Sequence, residues 1–198
     1  MSIKKIITGL ILSLLLSNGV ASAADYNSAY STFQSGNYEA AFQEMLPFAE
    51  QGNVDAQYYI ARMYDEGRGA LENDKAAVKW YSLAAEQGDR WAQYSLGVMY
   101  DNGYGVPVND KTAIKWYTLA AEQGNANAQG NMGYMYDIGK GVLTDTKRAY
   151  MWYNLAGYNG SELAGKNKDK IAKKMTLADI SKAQDMSSRC LESNYTDC

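Results

Sequence analysis

The chain has no histidine among its 198 residues, only 2 cysteines and only 2 prolines. Without an imidazole there is no Ser/His/Asp triad, no Cys/His dyad and no histidine-containing zinc site. So few prolines leave helix open almost anywhere along the chain. An excess of positive charge is missing too: the formal net charge is -3 and the pI about 5.1. Binding nucleic acid requires a basic surface to neutralise phosphates, so that class is set aside. What is present is 46% hydrophobic and 21% charged, with 17 tyrosines, a globular rather than a disordered composition.

Lys4 and Lys5 precede an apolar run over residues 6–16, followed by Ser17-Asn18-Gly19 and Ala21-Ser22-Ala23. A basic start, an apolar core and a small-residue end describe a secretory signal peptide over residues 1–23, with cleavage after Ala23. The alternative, a membrane anchor, takes roughly 20 apolar residues, so no membrane span is expected. Export places the mature chain in the periplasm or outside the cell. Without Lys4 and Lys5 the balance is 17 basic against 22 acidic residues. The acidity is uneven: residues 24–163 carry 10 basic and 17 acidic side chains, residues 164–198 carry 7 and 5. In an oxidising compartment Cys190 and Cys198 are expected to pair, closing a small ring at the C-terminus.

The chain repeats itself. Ala56, Ala92 and Ala128 stand 36 residues apart and head three aligned stretches without a gap. In register are Tyr64/Tyr100/Tyr136, Gly67/Gly103/Gly139, Gly69/Gly105/Gly141, Trp80/Trp116/Trp152, Tyr81/Tyr117/Tyr153 and Gly88/Gly124/Gly160. Each unit reads as helix, Gly-x-Gly turn, helix. Asn53, Asp89 and Asn125 suit the N-cap of a first helix, and Asp74, Asp110 and Thr146 that of a second. At 100° per residue Ala56, Ile60, Met63 and Tyr64 share the buried face of the first helix. Ala77, Trp80, Leu83 and Ala84 make the apolar face of the second, which puts the Trp and Tyr columns in the core rather than in a ligand cage. The small residues Ala61, Gly97 and Gly133 allow close approach of neighbouring helices.

The pattern Ala-Gln-x-x-Leu-Gly-x-Met-Tyr-x-x-Gly-x-Gly-Val, then Asp-Lys-x-Ala-x-x-Trp-Tyr-x-x-Ala-Ala-Glu-Gln-Gly, resembles the Sel-one-like repeat, a longer relative of the tetratricopeptide repeat. Residues 92–127 carry it almost without departure. The resemblance implies an all-α fold, a right-handed α/α superhelical solenoid of helix-turn-helix repeats. The expected organisation is residues 1–23 signal peptide, 24–55 N-terminal capping half-repeat, 56–91, 92–127 and 128–163 three repeats, and 164–198 a helical cap closed by Cys190 and Cys198. Stacks of this kind need terminal caps over their open faces. Two cysteines near the end also occur in secreted members of the family.

In tetratricopeptide-like stacks the first helices line the concave side, and the resemblance implies the same here. The positions opposite the core face are Tyr58, Arg62 and Asp65, then Tyr94, Val98 and Asp101, then Gly130, Tyr134 and Asp137. An acidic column with interspersed aromatics suits a basic or extended peptide; a solvated face with loop-capping aspartates is the other reading. As an enzyme the chain is poorly equipped. The aspartate column recurs only once per unit, and helices packed about 8–10 Å apart suit a glycosidase carboxylate pair badly. Cysteine-rich relatives are credited with β-lactam binding or hydrolysis, but no repeat here contains cysteine. The expectation is therefore a non-enzymatic scaffold or adaptor, without cofactor or metal, whose partner is another envelope or secreted protein. An inhibitory or immunity-type binder of a toxin or host protein is the alternative, and a cell-wall-active enzyme the second. The oligomeric state stays open.

Overall fold

The computed structural model describes residues 23–196 and 198; the expected signal peptide, but for Ala23, lies outside the described residues. Among the described residues ten helices follow one another: α1 (Ala23–Gln34), α2 (Tyr38–Glu50), α3 (Val54–Glu66), α4 (Asp74–Glu86), α5 (Arg90–Asn102), α6 (Asp110–Ala121), α7 (Ala126–Ile138), α8 (Thr146–Tyr158), α9 (Glu162–Ala172) and α10 (Leu177–Glu192). No strand occurs among the described residues. Successive helices pack on each other down the chain, except that α10 returns to pack on α8. The result is an all-α helical repeat solenoid with α3/α4, α5/α6 and α7/α8 as its repeated pairs.

The first helix of each pair starts as its sequence dictates. The side chains of Asn53, Asp89 and Asn125 accept hydrogen bonds from the N–H groups of Ala56, Ala92 and Ala128. The second helices start one residue earlier than expected. Their caps are Asn73, Asn109 and Asp145, not Asp74, Asp110 and Thr146. The extended backbone at Asn73 and Asn109 aims the side chain at the third N–H of the helix. That leaves Asp74 and Asp110 at the first helical position, where a carboxylate favours the positive end of the helix dipole.

The Gly-x-Gly turn has two separate jobs. Gly67, Gly103 and Gly139 end the first helices in the left-handed conformation, at φ 63, 81 and 73°. The second glycine lets the turn lie against the start of the preceding unit's second helix. A Cβ on Gly69 would stand 2.2 Å from the carbonyl oxygen of Tyr38, and one on Gly105 2.5 Å from that of Asp74. Stacking of units thus runs through these loops as well as through helix faces.

The first helices bury the expected face, with Ile60, Leu96 and Met132, and Met63, Met99 and Met135, all at most 2% exposed. On the second helices the aromatic columns divide. Tyr81, Tyr117 and Tyr153 are the core residues; Trp80 and Trp116 are half-buried and Leu83 is exposed, which corrects the expectation that both aromatic columns and the leucine are core. Only Trp152 is buried, because α10 lies over its helix. The buried tyrosines explain the small column on the first helices: the rings of Tyr117 and Tyr153 lie against Gly97 and Gly133.

A polar relay threads the stack. Gln57, Gln93 and Gln129 are buried and donate to the carbonyls of Ala49, Ala85 and Ala121 on the preceding second helix, at 3.1, 3.2 and 3.0 Å. Each accepts in turn from an amide 30 residues on: Gln87, Gln123 and Asn159, all at 2.8 Å. The relay ends at the C-terminal ring. Cys190 and Cys198 form a disulfide with Cα atoms 4.7 Å apart, and Tyr195 inside that ring exchanges hydrogen bonds with Asn159.

Candidate interaction face

One stripe of the first helices collects the residues singled out from sequence. On α3, α5 and α7 they stand at spacing i, i+4, i+7, which is one helical face. They differ in how free they are. Tyr58 is half-buried, its ring 5.3 Å from that of Tyr59 and 6.0 Å from that of Tyr81. Tyr94 is half-buried with its ring 6.0 Å from that of Tyr117. Burial pushes both phenols above their ordinary pKa. Val98 is half-buried in the core cluster shared with α7. Arg62 is held by Glu66, at 3.1 Å from Nε and 2.9 Å from Nη2, and lies over the rings of Phe33 and Tyr58. Only Tyr134 projects strongly, at 50% exposure.

The aspartate column faces inward more than outward. The hydroxyl of Tyr81 donates to Asp65 at 3.2 Å, and that of Tyr117 to Asp101 at 3.3 Å, tying the second helix to the first within each unit. Burial raises the Asp65 carboxyl above its ordinary pKa, against the pull of the Tyr81 hydrogen bond. Asp101 also pairs with Lys140 from the next unit's turn. The hydrogen bond that Lys140 donates to Asp101 is the main reason its ammonium sits above its usual pKa. The third rung differs: Asp137 has no hydrogen bond or ion pair among the described residues. Near it, burial pushes the Tyr153 phenol up to about 12, with Asp137 and Tyr134 adding to the rise.

Two openings lie along this stripe. One, of about 240 Å3, brings Asp65 of one unit together with Tyr94, Ser95, Val98 and Tyr104 of the next. The other, of about 220 Å3, separates α7 from α9 and is bounded by Gly130, Tyr134, Leu163 and the amides of Asn127, Asn131 and Asn167. Asn131 stands beside the stripe expected from sequence, as its equivalents Tyr59 and Ser95 do, whereas Tyr104, Leu163, Asn127 and Asn167 went unnoticed in the sequence. Tyr104 had a signal, since it stands in the Gly-x-Gly turn where the other units carry Arg68 and Lys140; Leu163 closes the third repeat and Asn167 lies beyond it, and neither had one. Among the described residues no group of three Cys, Asp or Glu side chains converges to hold a metal ion, and no helix is long and apolar enough to cross a membrane. The face offers aromatic area and amide hydrogen bonds, the chemistry of holding a polypeptide.

The Sel1 repeat family matches the chain three times, at residues 54–89, 92–125 and 126–161. A Sel1 repeat protein from Oxalobacter formigenes superposes with a TM-score of 0.68 at 36% identity, over 71% of this chain and 58% of that one. A protective antigen present in uropathogenic Escherichia coli strains, described as displaying an SLR fold, superposes with a TM-score of 0.59 at 29% identity, over 79% and 42%. The chain thus spans little more than half of the first and less than half of the second. Cysteine rich protein B of Helicobacter pylori shares the fold, with a TM-score of 0.53 at 22% identity over 65% of this chain and 95% of that one. No curated protein matches the sequence.

Proposed function

Since the chain belongs to the Sel1 repeat family, whose fold is typically a non-enzymatic scaffold for protein–protein interactions, we propose that it is an exported adaptor that holds a segment of another envelope or secreted protein along α3, α5 and α7. The observation that carries this is a pair of openings, one between α3 and α5 and one between α7 and the cap helix α9, both lined by tyrosine on the same stripe. They present a partner with side-chain-sized recesses on a rigid stack, the arrangement that lets a repeat protein bind an extended chain with little loss of its own entropy. Export is supported by Lys4, Lys5, the apolar run and Ala21-Ser22-Ala23, together with a disulfide that calls for an oxidising compartment.

The test is site-specific crosslinking in the native cell. A photoreactive residue at Tyr104 or Tyr134, both half exposed, is expected to trap a partner, and one at Leu83 on the second helices is not. Adducts from Leu83 alone would move the interface to the outer side. Mass spectrometry of the adduct names the partner and separates an adaptor from an inhibitor of a toxin or host protein. Recovery of a mature chain starting at Ala24 from the periplasmic fraction checks the localisation.

A further inference from the structure

The opening beside Gly130 is the place where the repeat leaves out a side chain. In α3 and α5 the same register holds Tyr58 and Tyr94. Each packs on its own unit's buried tyrosine and joins the cluster that includes the next unit's first helix. At this register a tyrosine therefore packs into the wedge between successive first helices, leaving beside it the opening at Asp65, Val98 and Tyr104. In α7 the register holds Gly130, and the wedge toward α9 stays open between Tyr134 and Leu163. Nothing in the fold requires glycine there. Its backbone is ordinary helix, and a Cβ added to it meets nothing within 4 Å. A glycine inside a helix costs about 1 kcal/mol relative to alanine, so the position is less stable than it needs to be.

Seven residues further along the same face, Asp137 lacks the partners of its equivalents. Asp65 and Asp101 accept a tyrosine hydroxyl, and Asp101 also pairs with Lys140. No further Gly-x-Gly turn follows to supply Asp137 with a cation.

We propose that the Gly130 cavity receives an aromatic side chain of the partner, a Tyr or Phe that takes the place Tyr58 and Tyr94 fill in the preceding units, while a Lys or Arg of the same segment pairs with Asp137. This rests on the reading of the first-helix stripe as the interaction face. At about 220 Å3 the cavity is smaller than the roughly 300–1,000 Å3 of small-molecule sites and matches one side chain. Seven helical residues span about 10.5 Å, and a peptide in the polyproline II conformation rises about 3.1 Å per residue with three residues per turn, so its positions i and i+3 share one face. The aromatic and basic residues therefore stand three positions apart. The amides of Asn127, Asn131 and Asn167 both donate and accept, and so meet the main chain of the segment between them.

The test is selection of a phage-displayed library of random 12-residue peptides on the chain from Ala24 onward, with affinities of the winners measured on variants. The expected winners carry Tyr or Phe three positions from Lys or Arg. Gly130→Tyr, which fills the wedge as its equivalents do, is expected to keep the melting temperature and lower affinity at least tenfold. Asp137→Asn is expected to lower it severalfold and to flatten its salt dependence. Leu163→Asp, at an exposed rim position, serves as a second block should Gly130→Tyr not fold. Winners without an aromatic residue, no winners at all, or winners that bind Gly130→Tyr and Leu163→Asp undiminished overturn the pocket. If those undiminished winners lose affinity on Tyr104→Ala, the interaction face stands and only the pocket falls; if they also ignore Tyr104→Ala, both fall.

Discussion

A methyl group added at Gly97 lands 2.6 Å from the ring of Tyr117, whereas one added at Gly130 meets nothing within 4 Å. Both glycines are helical, so the difference is one of neighbours and not of backbone freedom. Gly97→Ala is expected to lower stability by about 1–3 kcal/mol as Tyr117 is pushed aside. Gly130→Ala is expected to raise it by about 0.5–1 kcal/mol. Urea unfolding with unchanged m-values checks both. The tyrosine that crowds Gly97 also sets an alkaline limit. Burial raises the phenols of Tyr81, Tyr117 and Tyr153 above the ordinary 10.0. Unfolded phenols then lose their protons near pH 10 while the folded ones keep theirs, so the folded state binds more protons and stability falls as pH rises beyond about 10. Lys140 works in the same direction: its raised pKa contributes stability that is complete below 10.5 and is lost above it. The urea midpoint is therefore expected to drop between pH 9.5 and 11.5, in conditions where the scaffold is otherwise intact. Tyr117→Phe is expected to reduce that drop and to cost about 0.5–1.5 kcal/mol at pH 7 through the lost bond to Asp101.

At the scale of the element, the sequence was most legible where the physics is local. Helix, turn and helix, the caps Asn53, Asp89 and Asn125, and the buried face of the first helices all follow from neighbours within a turn. The second caps slipped by one because Asn73-Asp74 and Asn109-Asp110 offer two capping residues in a row, and only the backbone angle chooses. Trp80 and Tyr81 are adjacent and both apolar enough to bury. Tyr81 is the one that buries, its hydroxyl satisfied by Asp65, 16 residues away on the other helix. The aspartate column looked like a binding ladder for the same reason, since its tyrosine partners are remote in sequence. Gln57, Gln93 and Gln129 were invisible as structural residues because their bonds reach back 8 residues and forward 30. Gln93→Leu tests their weight. It leaves the buried carbonyl of Ala85 and the amide of Gln123 without this partner, and is expected to cost about 1–3 kcal/mol. The loss should register as faster amide exchange in α4 and α6, on both sides of the substituted helix, more than in α9 or α10.

For the whole molecule, the docking of α10 on one unit alone is what sets the stack's asymmetry. Helix α10 packs on α8, and Cys190 enters the core cluster that holds Met151, Trp152 and Leu155. Helices α4 and α6 carry the same Trp column, yet among the described residues no helix covers them as α10 covers α8. The register position before the tryptophan decides this. It is Lys79 and Lys115 in α4 and α6, each with its ammonium 5.3 Å from the neighbouring Trp ring, and Met151 in α8, fully buried. The lysines keep a charge over the outer face and make a covering helix costly; the methionine invites one. Met151→Lys is accordingly expected to place an unpaired ammonium under α10 and to release that helix. Amide exchange over residues 177–192 would rise sharply, and Trp152 would become accessible to acrylamide. Cys198→Ser is the comparison that separates docking from stapling. It opens a ring worth about 2.5 kcal/mol at most, and should loosen Tyr195 and its bonds to Asn159 while α10 stays protected. If Met151→Lys leaves α10 protected and Cys198→Ser frees it, the disulfide and not the methionine holds the cap in place.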